Sequence, residues 1–166
     1  IAYHRYHRVS VRIVRIFNTY GPRMRLKDGR AVPNFITQAL ENRPLTVYGG
    51  GRQSRSFCYV SDLVDGLILG MFSMDTTGEV FNLGNPEECE VGILADRIKV
   101  LAESSSPIVH LPRRPEEIAR RQPDIAKARA ILGWSPTVGL DDGLSLTMAW
   151  FREALSPRLS TPGAPR

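Results

Sequence analysis

The stretch Val11 to Arg30, VRIVRIFNTYGPRMRLKDGR, constrains this chain more than any other. Val11, Ile13, Ile16 and Phe17 are β-branched or aromatic, and Arg12 and Arg15 interrupt them, so the segment opens as a strand. It breaks at Asn18-Thr19-Tyr20-Gly21-Pro22, a run of turn formers. A strand that ends in polar residues and a Gly-Pro break is where open α/β folds place their ligands. Past the break come Arg23, Arg25, Lys27 and Arg30, with Asp28 the only acid among them. Such a loop suits an anion.

The remaining chain alternates helical and extended patterns, which argues an α/β fold. Asn34 to Glu41 has Phe35, Ile36, Ala39 and Leu40 at helical spacing, with Pro33 before it and Pro44 after it. Leu45 to Tyr48 reads as a short strand. Gly49-Gly50-Gly51 then makes either a tight turn or a close backbone approach. It has neither the G-K-[ST] ending of a phosphate loop nor a G-x-G-x-x-G frame. Ser54 to Val60 alternates as a strand, Ser61-Asp62 offers an N-cap, and LVDGLILGMF follows as a mostly buried helix. Glu79 to Leu83 and Pro107 to Leu111 read as strands. Val91 to Glu103, Asp124 to Leu132 (stopped by Gly133) and Leu140 to Leu155 read as helices. Ser156 to Arg166 is rich in Pro, Ser and Gly and is expected to be disordered. The strands are too few and short for a complete doubly wound sheet. IAYHRYHRV reads as the tail of a helix, so further residues are expected upstream of Ile1.

At 166 residues the chain is one domain's worth. Its net charge of +5 is concentrated at the start, where residues 1–30 hold eight cations against one acid. That segment is either a set of solvated faces or a field that attracts phosphates and carboxylates. No recognised nucleic-acid motif accompanies it, so nucleic acid is not expected as a partner. Cys58 and Cys89 lie far apart, without a C-x-x-C or a histidine at metal spacing, so neither a disulfide framework nor a metal site is expected. Two unpaired cysteines fit a reducing, cytoplasmic compartment. No apolar run approaches the roughly 20 residues that cross a bilayer, and no membrane role is expected.

Several of these motifs carry a family resemblance. RIFNTYGPRM followed by DGR, GRQSRSFCYVSD, and Arg121 before Gln122-Pro123-Asp124 resemble the extended short-chain dehydrogenase/reductases, and within them the UDP-glucuronic acid decarboxylases. The R-x-x-N-x-x-G-P core is shared with sugar-nucleotide dehydratases and epimerases. The resemblance therefore implies the C-terminal part of an extended Rossmann-type fold over residues 1–155: the last strands of the sheet and a small substrate-binding domain. It implies NAD as cofactor, a UDP-sugar as substrate, and a homodimer formed through helices upstream of this segment. The implied reaction oxidises the sugar at C4, loses CO2, and re-reduces C4 to give UDP-xylose. A 4,6-dehydratase, a 4-epimerase and a non-enzymatic basic binding module remain as alternatives.

Residue by residue, the resemblance places Thr19, Arg25 and Arg30 at the cofactor. It places Tyr3, Asn18, Asn34, Thr46, Tyr48, Arg55 and Arg121 at the substrate. Tyr3 stands alone on its helix tail, because Tyr6 and His7 depart from the decarboxylase pattern. Arg25 falls where decarboxylases more often have His. Leu45 to Tyr48 would lie along the nucleotide base, pairing through main-chain groups, or be a plain core strand. Arg55 and Arg121 would close on one diphosphate from two sides; otherwise each is a surface cation, Arg121 in a basic loop with Arg113 and Arg114. Gly92 and Ile93 depart from the larger apolar residue and Glu that relatives often carry at a helix start, which is expected to weaken that helix. The glycine fingerprint and the Tyr-x-x-x-Lys pair that hydride and proton transfer need are not found, so no catalytic residue is assigned and both are expected upstream of Ile1.

Overall fold

The first strand does not run on into the turn as one piece; it changes partners. The structure is a computed structural model that describes residues 1–113 and 118–159, the last three by backbone alone. After a short helix α1 (Ala2–His7), β1 (Ile13–Ile16) lies parallel to a later strand, with Ile13 opposite Val80 and Ile16 opposite Leu83. The chain breaks at Phe17-Asn18 and re-forms as β2 (Thr19–Tyr20), which pairs parallel with β5 (Cys58–Tyr59). The turn expected over 18–22 thus contains a two-residue strand.

Next come α2 (Ala31–Leu40), β3 (Leu45–Tyr48), β4 (Ser54–Ser56), β5 and α3 (Val60–Phe72). They are followed by β6 (Val80–Leu83), β7 (Glu88–Glu90), α4 (Val91–Leu101), β8 (Ile108–Leu111) and β9 (Arg120–Arg121). The last elements are α5 (Ala126–Leu132) and α6 (Leu140–Leu159). β6 is the partner of β1, and β3 pairs parallel with β8. β4 is the centre of a three-stranded sheet, antiparallel to β7 and parallel to β9. The strand expected over 54–60 is therefore two strands in two sheets, divided at Phe57, and Val60 already begins the helix.

Apolar periodicity explains two cores. In one, Phe35, Ile36 and Ala39 of α2 meet Leu45 and Val47 of β3, Leu94, Ala95 and Ile98 of α4, and Leu144, Met148 and Phe151 of α6. In the other, Leu63 of α3 meets Phe81 and Leu83 of β6, Ala128 and Leu132 of α5, and Trp134. Helix α3 can sit this close because Gly66 faces Leu83 and Trp134, where a Cβ would come within 2.9 Å of both. Gly133, in the left-handed conformation at φ 62°, ends α5 as expected.

Three expectations need correction. Asp62 is not a cap: α3 starts behind Tyr59 without a side-chain cap. The buried Asp62 carboxylate instead accepts from the Thr137 hydroxyl at 2.9 Å and the Val138 N–H at 3.0 Å, pinning the segment after Trp134. Helix α3 is not mostly buried: Val64, Ile68, Met71 and Phe72 form an exposed apolar face, because only the opposite side meets β6 and Trp134. Helix α4 forms with Gly92 and Ile93 in its first turn. The Gly92 N–H donates to the Gly51 carbonyl at 2.9 Å and the Val91 N–H to the Gln53 carbonyl at 3.0 Å, so loop carbonyls satisfy the helix's first amides. Gly51 has φ 72° and lies against the Gly92 backbone, so the glycine run makes its close approach to α4. Finally, α6 continues through 156–159, where disorder was expected; residues 160–166 and Arg114 lie outside the described residues.

Two measurements check this packing. Gly66→Val forces a branched side chain against Leu83 and the Trp134 ring and is expected to cost about 1–3 kcal/mol in urea unfolding; an unchanged midpoint would contradict the contact. Cys58 is buried, and burial first, then Asp62, pushes its thiol from 9.0 up to about 12. The folded chain keeps this proton while the unfolded chain releases it near 9.0, so the thiol's contribution is full below that pH and is lost as pH rises toward about 12. At pH 8 a thiol reagent is expected to label half-buried Cys89 in the native chain and to reach Cys58 only after denaturant is added.

Candidate functional site

The ends of β1 and β2 open onto two adjoining cavities that share Asn18, Thr19 and Arg30. The first, about 230 Å³, runs between α2 and the strands β3 and β4, with Asn34, Thr46, Tyr48 and Arg55 in its wall. The second, about 440 Å³, lies at the C-terminal end of β1 between Arg15, Arg30 and Arg121. Polar residues at the carboxyl end of a parallel strand are where the sequence pattern placed a ligand.

Each side chain is set by its element. Thr19 turns its hydroxyl back to the Phe17 carbonyl at 2.9 Å, which closes the break between β1 and β2. Asn34 lies in the first two turns of α2, beyond Pro33, which is tolerated there because its missing N–H has no helical partner to lose. The Leu45 amide of β3 donates to the Pro107 carbonyl just before β8, and the Gly49 amide just after β3 donates to the Leu111 carbonyl of β8. By strand alternation, Thr46 and Tyr48 turn their main-chain groups to the opposite edge, beside the first cavity. Gln38 holds the Thr46 N–H at 3.1 Å and its hydroxyl at 2.9 Å, and Gln53 donates to the Tyr48 carbonyl at 2.8 Å. Side chains therefore occupy the Thr46 N–H and the Tyr48 carbonyl on this edge, which sequence reasoning had treated as open.

The two arginines singled out in the sequence become neighbours. β9 pairs parallel with β4 so that Arg121 stands opposite Arg55 and Arg120 opposite Ser54. Arg55 faces the first cavity and Arg121 the second. Arg55 also donates to the Ser54 carbonyl at 2.7 Å. Arg121 has no ion-pair partner among the described residues. An anion beside Arg121 would accept charge-assisted hydrogen bonds.

Arg30 differs from the picture of a bare cation. Its guanidinium forks onto the Asp28 carboxylate at 2.5 and 2.7 Å and reaches the Thr19 carbonyl at 3.5 Å. The hydrogen bond from Arg30 holds the Asp28 carboxyl below its ordinary range. The loop's only acid thus neutralises its last arginine. Tyr3 and Arg25 line neither cavity: Tyr3 is exposed on α1 with its ring 5.3 Å from that of His7, and Arg25 is exposed in the loop. Arg15, Gln38 and Gln53 were missed by sequence reasoning. Arg15 carried a usable signal, since a charge within an apolar strand near its C-terminal end points out of the core. The two glutamines carried none.

The described residues form no glycine-rich dinucleotide cradle. The glycine-rich turn is absent from the sequence, and the glycine run at 49–51 is used against α4. Thr19 and Arg30 line both cavities, where they could contact such a cofactor. Among the described residues no cluster of His, Cys, Asp or Glu could hold a metal ion, and no helix is long and apolar enough to cross a membrane.

Known sugar-nucleotide enzymes are similar to this chain in sequence and in fold. UDP-glucuronic acid decarboxylase 3 of Arabidopsis thaliana is 51% identical over 154 residues, 93% of this chain and 44% of that protein. UDP-glucuronic acid decarboxylase 1 of Xenopus tropicalis is 46% identical over 99% of this chain and 39% of that protein. The chain thus spans less than half the length of these curated relatives. Among solved structures, the UDP-glucuronic acid 4-epimerase of Bacillus cereus, in complex with UDP-glucuronic acid and NAD, superposes with a TM-score of 0.85. It is 32% identical, over 92% of this chain and 48% of that one. The UDP-glucose 4-epimerase of Thermotoga maritima with UDP-glucose gives a TM-score of 0.87 at 29% identity, over 93% and 50%. The fold is α/β, of the Rossmann type these enzymes share. The model of the family described as GDP-mannose 4,6 dehydratase matches residues 1–147, and the chain belongs to that family.

Proposed function

We propose that this chain is the UDP-sugar-binding, C-terminal part of an NAD-dependent UDP-glucuronate decarboxylase, with the dinucleotide-binding part supplied by residues upstream. The observation that carries the reading is the register of β9 on β4, which sets Arg121 opposite Arg55 at the wall of two linked cavities. Decarboxylases are also the more similar relatives in sequence, at 46–51% identity against 29–32% for the two epimerase structures.

In this reading Arg55 and Arg121 hold the diphosphate, the Thr46–Tyr48 edge runs beside the base, and Asn18 and Asn34 face the sugar. Thr19 and Arg30, on the wall common to both cavities, border the dinucleotide. NAD, when bound, supplies the hydride chemistry; this chain binds, orients and excludes water. β1 has one strand partner among the described residues, with Ile13 and Ile16 exposed beside the exposed α3 face. Both features suit a sheet that continues with an upstream strand and its helices. Epimerisation at C4 is the second reading, favoured by the fit to the Bacillus cereus epimerase that holds UDP-glucuronic acid.

The 166-residue chain is expected to bind UDP saturably by calorimetry and to form no UDP-xylose from UDP-glucuronate. Arg55→Ala and Arg121→Ala should each cost about 1.5–3 kcal/mol of UDP binding. Unchanged affinity in both, or salt-sensitive RNA binding without any UDP response, would refute the site. Asp28→Asn removes the carboxylate that neutralises Arg30. It should tighten inorganic pyrophosphate binding about two- to fivefold at low salt, and the gain should fade in 0.5 M salt.

A further inference from the structure

The pairing that brings Arg121 to Arg55 has little of its own to hold it. β9 is two residues long, both exposed, and its ladder on β4 has two register positions. Parallel pairing is the weaker kind per residue. A slip by one residue would put Arg120 opposite Arg55 and turn Arg121 to the other face. Outside that two-position ladder the backbone adds the Ser54 N–H to Ala119 carbonyl bond at 3.0 Å.

On the face away from the two cavities, one carboxylate ties the three strands of this sheet together. Glu88 of β7 accepts from the Ser54 hydroxyl of β4 at 2.6 Å. It also accepts the Arg120 guanidinium of β9 as a fork, with Nε at 2.8 and 2.9 Å and Nη2 at 2.5 Å. Arg120 donates in addition to Gln122 Oε1 at 2.8 Å, and Gln122 donates to the Pro86 carbonyl at 2.8 Å, just before β7. The fork is directional, so it fixes where Arg120 stands along the strand as well as attracting it. Arg121 is the next residue, and strand alternation sends it to the opposite face. Glu88 lines neither of the two linked cavities.

We propose that Glu88, acting through Arg120, is a positioning residue that locks the β9 register and thereby presents Arg121 beside Arg55 to a nucleoside diphosphate. This rests on the reading that those two arginines hold the diphosphate. An exposed ion pair adds little global stability, so the lock is expected to show in ligand affinity rather than in melting temperature. The carboxylate does its work at two removes from the ligand, which is why no motif for ligand binding contains it.

A double-mutant cycle on the 166-residue chain, read by calorimetric titration with UDP, tests this. Glu88→Ala is expected to weaken UDP binding about fivefold or more, with Arg120→Ala matching it and the pair together no worse than either alone. In an Arg121→Ala background, Glu88→Ala should change affinity by less than about twofold, since the group it positions is gone. In an Arg55→Ala background its full effect should return. Glu88→Gln keeps the shape and one acceptor and should restore part of the loss; it also serves if Glu88→Ala does not fold. Undiminished affinity in the Glu88 variants, or an equal loss with Arg121 already removed, overturns the lock. If Arg121→Ala itself leaves UDP binding intact, the diphosphate site fails, and the lock fails with it as a binding device. A loss in Glu88→Ala that tracks a fall in melting temperature marks a purely structural role and also overturns it.

Discussion

The site depends on one short backbone pairing. β4 is rigid because β7 lies on one side and α4 begins directly after β7, its first amides spent on the loop that leads into β4. β9 joins the free side of β4 with two residues, and that pairing, tied on its other face by the Glu88–Arg120 fork, sets position 121 opposite position 55. In the proposed reading, the pair is half of a contact whose other half is a ligand carrying phosphate.

The two cores divide the labour around that contact. The α3, α5 and β6 cluster fixes the end of β1, where Asn18 and Thr19 stand. The α2, α4 and α6 cluster fixes β3 and the loop to β4, where Thr46, Tyr48 and Arg55 stand. Tyr20 bridges the parts: its ring packs edge-on against Phe57 and Tyr59, and its hydroxyl donates to the Leu140 carbonyl. Burial raises its phenol well above the ordinary range, so it stays a neutral donor and serves packing rather than proton transfer.

Much of this was legible in the residues. β3, β8, α4 and the Gly133 stop follow directly from β-branched runs, helical spacing and glycine chemistry, because each is decided within a few residues. Local logic marked the strand end at 18–22 as a ligand edge, while the individual roles of Asn18, Thr19 and Arg30 came from the family resemblance. What could not be read is what neighbours decide. β7 and β9 are polar and two or three residues long, so no period marks them; they exist because β4 lies between them. Asp62 carries the same letters as a cap yet bonds a segment some 75 residues away. Likewise, the neutralisation of Arg30 by Asp28 depends on a loop conformation that charge counting does not see.

The most direct measurement is a crystal structure of the chain with UDP bound. The diphosphate should lie between the guanidinium groups of Arg55 and Arg121, within hydrogen-bond distance of both, with the base beside the Thr46–Tyr48 edge. A diphosphate bound elsewhere, with both arginines turned to solvent, would contradict it.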